Sequence, residues 1–236
     1  MPLAERTELL ARLRDQIAGC ERVIDAAERP IIRTGWPTLD EILPSGGLRR
    51  GSLVELLDLR SGCGAETVAA GLTQAACRFP GVVVIVDRDG QFYPSALAAW
   101  DIPVERMVVV RAESDADAVW AADQALRSRA AVVVWLRLDR LRPHDFRRLQ
   151  LSAEEGGAVG VLFSPARARG QPTWADVQLA VEPRPSSRGR ALHVEVTRCR
   201  HGSPGAVAEI RIHEDNCHET PHVPAAAALA DPAGVV

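Results

Sequence analysis

The chain has 236 residues, of which 47% are hydrophobic and 25% are charged, a balance typical of a globular protein with a buried core. No apolar run approaches the roughly 18 residues of a membrane helix, so a transmembrane protein is excluded. The formal net charge of −3 disfavours a protein that coats nucleic acids, although it leaves room for a local basic patch. The first residues include Glu5, Arg6 and Glu8 and no apolar signal segment, so we expect a cytoplasmic protein.

The chain contains no lysine, because all 28 Lys+Arg residues are arginine. This excludes Schiff-base chemistry and any mechanism that needs a lysine ammonium group, including that of a standard phosphate-binding loop. The cysteines are odd in number, widely spaced and free of C-x-x-C pairs, which indicates reduced thiols. They are Cys20, Cys63, Cys77, Cys199 and Cys217.

The first predicted element is an amphipathic helix over residues 1–30. Apolar residues recur there at steps of three and four, and Pro30 ends the pattern. Leu9, Leu13 and Ile17 form its apolar stripe and are candidate partner contacts. Periodicity alone leaves open whether this helix packs on its own domain or binds another protein.

Alternating strands and helices are predicted after residue 50. Short apolar runs without polar alternation are typical of parallel strands buried on both faces, and helices between them indicate βαβ units. We therefore expect an α/β fold with a mostly parallel sheet and helices on both faces. The predicted strands are Arg50–Leu57, Val82–Val86, Met107–Val110, Ala131–Leu136, Val159–Phe163 and Val177–Val181. The predicted helices are Glu66–Arg78, Pro94–Trp100, Asp115–Arg127 and Pro143–Glu155.

The pattern of apolar and polar residues changes in the C-terminal part of the chain. Ala191–Arg198 and Ala206–Ile212 alternate apolar and polar residues, which predicts an antiparallel hairpin at the edge of the sheet. From Glu214 the sequence is rich in alanine and proline, which predicts a disordered tail. The predicted organisation is a helix at residues 1–30, a core domain at residues 31–213 and a tail at residues 214–236.

A glycine-containing turn between a strand and a helix is where many α/β proteins bind phosphate. The turn consists of Gly62, Cys63, Gly64, Ala65, Glu66 and Thr67. When the second glycine of G-x-x-x-x-G-K-[ST] is aligned with Gly64, Leu59 takes the place of the first glycine. Ala65 then replaces the lysine and Glu66 the metal-binding hydroxyl, while Thr67 follows one residue late. Glu66 would also repel a bound phosphate.

A second carboxylate that binds the metal normally ends a later strand in such sites. Here the strand Ala131–Leu136 runs into Arg137 with no acidic residue. We therefore expect no ATP hydrolysis, no catalytic residue and no cofactor. Nucleotide binding through backbone amides alone and an ordinary strand–helix turn without a ligand remain the alternatives.

Several stretches resemble the core domain of RecA recombinases. Thr34–Asp40 followed by Gly46–Glu55 is similar to the beginning of that core. Val86–Asp89 resembles the segment with the RecA catalytic glutamate, which implies that Asp89 stands at the glutamate's position as a vestigial acid. The C-terminal hairpin resembles the one that ends that core.

The departures from RecA resemble the ImuA family, the RecA-like accessory proteins of inducible mutagenesis. The first DNA-binding loop of RecA is nearly absent, the second is reduced to Ser164–Trp174, and no large C-terminal domain follows. Ala118–Ser128 and Arg147–Gly157 are similar to the ImuA family rather than to RecA itself.

This resemblance implies a non-enzymatic scaffold in damage-induced mutagenic translesion synthesis, in the cytoplasm and at the nucleoid after damage. The implied partners are RecA, the polymerase relative ImuB with an error-prone polymerase, or both. The N-terminal helix and a sheet edge around Val194–Thr197 are the expected contact elements. The alternatives are a weak RecA-type ATPase and a SulA-like inhibitor of cell division.

Arginines and one tryptophan are candidate contacts to single-stranded DNA. Arg147 and Arg148 end the densest basic run, for which a solvated, salt-bridged face is the alternative. Arg167 and Arg169 lie in the shortened second loop, and Trp174 offers a ring for stacking on a base. A polar surface loop is the alternative there.

A metal site is not expected. The C-terminal histidines and cysteine have metal-ligating side chains, but their spacing matches no standard zinc motif. These residues are His213, Cys217, His218 and His222.

Overall fold

The computed structural model describes residues 29–212, except residues 60–61, 186–189, 201 and 203. The strands are β1 (Ile31–Ile32), β2 (Leu48–Arg49), β3 (Leu53–Asp58), β4 (Val82–Asp87), β5 (Met107–Arg111), β6 (Ala131–Arg137), β7 (Val159–Pro165), β8 (Val177–Arg184), β9 (Arg190–Cys199) and β10 (Val207–Ile212). The helices are α1 (Pro37–Ile42), α2 (Ala65–Ala76), α3 (Pro94–Ala98), α4 (Asp115–Arg127) and α5 (Pro143–Gly156). Each predicted strand and helix after residue 50 is found, with ends that differ by a few residues.

Eight of these strands form one sheet, in the order β10-β9-β8-β3-β7-β6-β4-β5. The six strands from β8 to β5 run parallel to one another, whereas β9 and β10 continue the sheet as an antiparallel hairpin. The prediction of a mostly parallel sheet with a C-terminal hairpin is therefore confirmed. β1 and β2 pair separately as a short antiparallel ribbon.

Apolar side chains cover both faces of the sheet. Val54 of β3 belongs to the same buried cluster as Leu72 of α2. Its neighbour Leu53 belongs to the cluster that contains Val119 of α4 and Leu149 of α5. Successive residues of a strand point to opposite faces, so an unbroken apolar run serves both clusters. The prediction of helices on both faces is confirmed.

The expected sheet edge around Val194–Thr197 is wrong. These residues belong to β9, which lies between β8 and β10, so the edge strand is β10. Val194 and Val196 are fully buried, and the Thr197 hydroxyl donates to the side-chain oxygen of Gln178 at 2.7 Å. The alternating pattern predicts two paired strands, but it contains no information on which of them also pairs with β8.

The predicted N-terminal helix, including Leu9, Leu13 and Ile17, lies outside the described residues, apart from its last two positions. The predicted tail and the histidines and cysteine from residue 213 onward lie outside them as well. The division of the chain into helix, core and tail therefore stays a prediction. No helix in the described part of the chain is long and apolar enough to cross a membrane.

The segment before β2 anchors helix α2, which carries the candidate site. The Asp40 carboxylate accepts a hydrogen bond from the Thr34 N–H at 2.8 Å and so closes this segment into a turn. Trp36 then packs edge-to-face on Trp100, with ring centroids 6.1 Å apart. A Cβ atom added to Gly71 of α2 would lie 1.9 Å from the Trp36 ring, so only glycine allows this approach.

Replacing Gly71 with alanine should destabilise the protein by about 1–3 kcal/mol, because the added methyl group overpacks the Trp36 contact. The same change in a helix interior would otherwise stabilise it by about 1 kcal/mol. Urea unfolding of Gly71→Ala in the wild-type and Trp36→Leu backgrounds measures both effects. The substitution should be neutral or stabilising when Trp36 is leucine, and an equal loss in both backgrounds would contradict the steric account.

Candidate functional site

The candidate site lies where the parallel strands β3, β4, β6 and β7 end. In open α/β sheets this carboxyl edge is where ligands bind. A cavity of about 360 Å³ opens there, and its walls are formed by the ends of β4, β6 and β7, the first turns of α2, and α3 with the loop before it. The site therefore combines the predicted glycine turn with residues from three later segments of the chain.

The glycine turn contains two glycines with left-handed backbone and packs against the core. Gly62 and Gly64 have φ values of 71° and 99°, in the left-handed region that favours glycine. Cys63 between them is fully buried in the core. A Cβ atom on Gly64 would lie 2.5 Å from a methyl carbon of Leu192 in β9, so the turn is pressed against the hairpin. The left-handed backbone accounts for both glycines, and the Leu192 contact adds a steric reason at Gly64, so neither requires a phosphate ligand.

Arg137 lies at the end of β6, the position at which a nucleotide site of this kind normally has a metal-binding carboxylate. Its guanidinium donates to the Asp58 carboxylate at 2.6 Å and to the Glu66 carboxylate at 2.5 Å. It also lies over the Phe163 ring, 4.5 Å from the centroid. The second Asp58 oxygen accepts from the Cys63 thiol at 3.2 Å. One arginine thus joins the end of β3, the start of α2 and the end of β6.

These three charged groups determine what the turn can bind. Glu66 lies in the first turn of α2, so its carboxylate already interacts with the positive end of the helix dipole. A triphosphate placed there would face two carboxylates, Asp58 and Glu66, and a single guanidinium that both already share. Repulsion between like charges at such short range opposes phosphate binding at this turn.

The two acidic residues after β4 have different surroundings. Asp87 is buried, accepts from the backbone N–H groups of Gln91 and Phe92 at 3.1 and 3.0 Å, and forms an ion pair with Arg111. It therefore fixes a turn. Asp89, the predicted vestigial acidic position, is exposed at the cavity, and its carboxylate has no hydrogen bond or ion pair with any residue that the structure describes.

Aromatic rings form much of the cavity wall. Trp135 lies at its base, edge-to-face with Phe92 and Phe163 at centroid distances of 6.2 and 5.3 Å. Its indole N–H donates to the Thr73 hydroxyl at 2.9 Å, which fixes the ring. Trp100 and the exposed Tyr93 complete the wall. The sequence analysis did not predict this cavity, because its rings come from separate segments and each resembles an ordinary core residue. The only signal in the sequence was the presence of aromatic residues beside strand ends.

The candidate DNA contacts lie elsewhere, on α5 and the loop after β7. The guanidinium of Arg147 stacks on Trp174 at 4.9 Å from the ring centroid, so the structure brings these two predicted residues together. Arg148 instead lies within ion-pair distance of Asp123 at 3.6 Å and of Asp145 at 4.0 Å.

The loop arginines also have partners within the chain. Arg167 donates to the Asp139 carbonyl at 2.9 Å, and Arg169 contacts both carboxylate oxygens of Glu195 at 2.8 and 2.9 Å. The ion pairs of Arg148 match the salt-bridged alternative for the basic run. Together with the contacts of the two loop arginines, they leave less free positive charge than the sequence suggests. DNA contact at these residues stays a prediction.

A metal centre has no support within the described part of the chain, where no three His, Cys, Asp or Glu side chains are grouped closely enough to hold an ion. The C-terminal histidines and cysteine considered above lie outside it.

Comparison with known proteins identifies relatives by sequence. No protein-family model matches the chain. It is 29% identical to Protein ImuA of Caulobacter vibrioides over 203 residues, which cover 75% of this chain and 81% of that protein. It is also 30% identical to Protein RecA of Picosynechococcus sp. over 115 residues, 48% of this chain and 32% of that protein.

The fold is also found in a solved structure. The crystal structure of the RadB recombinase superposes with a TM-score of 0.62 and 17% sequence identity, covering 79% of this chain and 98% of that chain. The sheet and its helices are therefore those of a RecA-type recombinase core.

Replacing Arg137 with methionine should lower the free energy of unfolding by about 1–2 kcal/mol. The substitution leaves Asp58 and Glu66 close together without a shared cation, and partial solvent exposure limits the loss. Urea unfolding measures the change. Adding Glu66→Gln should recover part of it, since one of the two facing charges is then removed.

The matched control is Arg140→Met, which removes an exposed arginine three residues away. It should change stability by less than about 0.5 kcal/mol. Equal effects of the two arginine substitutions would contradict a specific role for Arg137.

Proposed function

Because this chain belongs to the ImuA family and has a RecA-like core, we propose that it is a non-enzymatic accessory protein of damage-induced mutagenic DNA synthesis. One observation carries the proposal: the Arg137 guanidinium pairs with Asp58 and Glu66 at the turn where a RecA-type ATPase holds nucleotide phosphates. The family resemblance supports the process, and this ion-pair cluster supports the absence of hydrolysis.

Phosphoryl transfer depends almost entirely on positioning and on stabilising charge around the phosphate. The chain has no lysine, and Glu66 stands where the metal-binding hydroxyl would be. Arg137 stands in place of the second acid, and its guanidinium forms ion pairs with two carboxylates of the chain. Without these groups to position a phosphate, Asp89 alone is insufficient for hydrolysis, so we expect no ATPase activity.

The same cluster supports a scaffold whose shape is independent of nucleotide. In an ATP-driven recombinase the bound phosphates and metal connect the glycine turn to neighbouring strand ends. Here Arg137 makes that connection, from β6 to β3 and α2. The core can therefore present its surfaces to partners without an ATP cycle.

The proposed partners are the RecA recombinase, the ImuB-type polymerase relative with its error-prone polymerase, or both, in the cytoplasm and at the nucleoid after damage. The predicted stripe Leu9, Leu13 and Ile17 is the first candidate contact. Trp120 supports a second contact on α4, because its side chain is 62% exposed and tryptophan is enriched among residues that dominate binding interfaces.

Adding 1 mM ATP with magnesium should leave the melting temperature of the purified protein unchanged and give no phosphate release above a protein-free blank. A site with a dissociation constant of about 10 μM would instead stabilise the protein by about 2.7 kcal/mol. A RecA protein assayed alongside provides the positive control. Turnover that disappears in Asp89→Asn would contradict the non-enzymatic proposal and revive the weak ATPase.

Replacing Leu9, Leu13 and Ile17 together with aspartate should abolish recovery of RecA or the polymerase relative in a tagged pull-down from DNA-damaged host cells. Three charges on the apolar stripe remove the surface that a partner would bury. Mass spectrometry of the bound proteins gives the readout.

The matched control places three aspartates on the opposite side of the predicted helix, at Ala11, Ala18 and Arg22. This control should keep partner recovery near the wild-type level. If the stripe variant also keeps it, the N-terminal helix is not the contact. Recovery of the division-ring protein in place of both partners would favour the SulA-like alternative.

A further inference from the structure

We propose that the cavity at the carboxyl edge of the sheet binds an organic cation, an alkylammonium or guanidinium group with an apolar body. This goes beyond the scaffold role, which does not require a small-ligand site. The proposal depends on three independent observations: the size of the cavity, its aromatic wall and an excess of carboxylates around it.

The cavity has the size of a small-ligand site. Its volume of about 360 Å³ lies near the lower end of the roughly 300–1,000 Å³ found for ligand pockets. That space accommodates one amino-acid side chain or a small amine and is small for a whole nucleotide. The orientation of the Trp135 ring is fixed by its hydrogen bond to the Thr73 hydroxyl and by edge-to-face contacts with two neighbouring rings.

The wall favours a cation. Five aromatic residues line the cavity, and the face of an aromatic ring attracts positive charge, most strongly where water is excluded. The five are Phe92, Tyr93, Trp100, Trp135 and Phe163. Tyr93 is 68% exposed beside the opening, so its ring is accessible to an entering group.

The charges also favour a cation. Five carboxylates and three guanidinium groups line the cavity or pair with a lining group, so two carboxylates are in excess. The carboxylates are Asp58, Glu66, Asp87, Asp89 and Asp115, and the guanidinium groups are Arg88, Arg111 and Arg137. A phosphate or another anion would be repelled by this set.

Asp89 is the group that would contact the ligand. The other lining acids are engaged: Glu66 by Arg137, and Asp87 by Arg111 and two backbone N–H groups. The Asp89 carboxylate has no partner in the described part of the chain and lies on the cavity wall. A cation seated against the rings can therefore pair with Asp89 without breaking an existing interaction.

The experiment uses the full chain labelled with 5-fluorotryptophan, whose five residues give separate fluorine NMR signals. Trp100 and Trp135 line the cavity, whereas the exposed Trp120 and Trp174 lie outside its wall and act as internal references. The probe is butylguanidinium, and the control ligand is the neutral, similarly shaped butylurea. Saturable shifts of the Trp100 and Trp135 signals, with butylurea at least about tenfold weaker, are expected.

Two variants test the proposed contact. Asp89→Asn should weaken butylguanidinium binding by at least about fivefold, whereas Glu105→Gln removes the same charge from an exposed turn before β5 and should leave binding unchanged. Agmatine and an arginine-containing Gly/Ser peptide distinguish a free small cation from a side chain of a protein partner, according to which binds more tightly.

Several results would overturn the proposal. They are no saturable shift of Trp100 or Trp135, equal binding of butylurea, equal shifts of the two reference signals, or an Asp89→Asn variant that binds as wild type. Because Asp89 is exposed and has no partner among the described residues, that variant should retain the wild-type melting temperature, so a loss of binding reports the site and not unfolding. These results are independent of ATP turnover and partner recovery, which test the proposed function.

Discussion

The contact of one guanidinium group with two carboxylates determines the properties of the candidate site. Arg137 donates to Asp58 and Glu66 and lies on the Phe163 ring, so it joins two strand ends and the first turn of α2. In a phosphate loop, a lysine and a metal ion normally neutralise the charge of the bound phosphates at this place. Here the Arg137 guanidinium pairs with both carboxylates, so residues of the chain itself connect the turn to the neighbouring strand ends.

The cavity beside this cluster extends along the end of β4 to the loop that carries Asp89. Aromatic side chains rather than backbone amides line that space. A fold built around nucleotide phosphates thus presents an acidic, aromatic cavity, which is suited to a cation.

Arginine side chains also connect elements elsewhere in the described part of the chain. Arg106 donates to three backbone carbonyls between residues 77 and 81, and Arg169 contacts both oxygens of Glu195. A planar guanidinium with several donors suits such multiple contacts better than an ammonium group. Many of the arginines therefore hold elements of the core together.

The parallel strands, the helices between them, the C-terminal hairpin and the loss of the phosphate-loop residues can all be predicted from the amino-acid sequence. These features follow from local patterns, since apolar runs and helical periodicity are read within about ten residues. Tertiary structure alone decided that β10 and not β9 is the edge, that separate rings meet in one cavity, and that Arg137 pairs with residues 79 and 71 positions away. Such contacts depend on which strands become neighbours in the sheet, and no local pattern along the chain specifies that order.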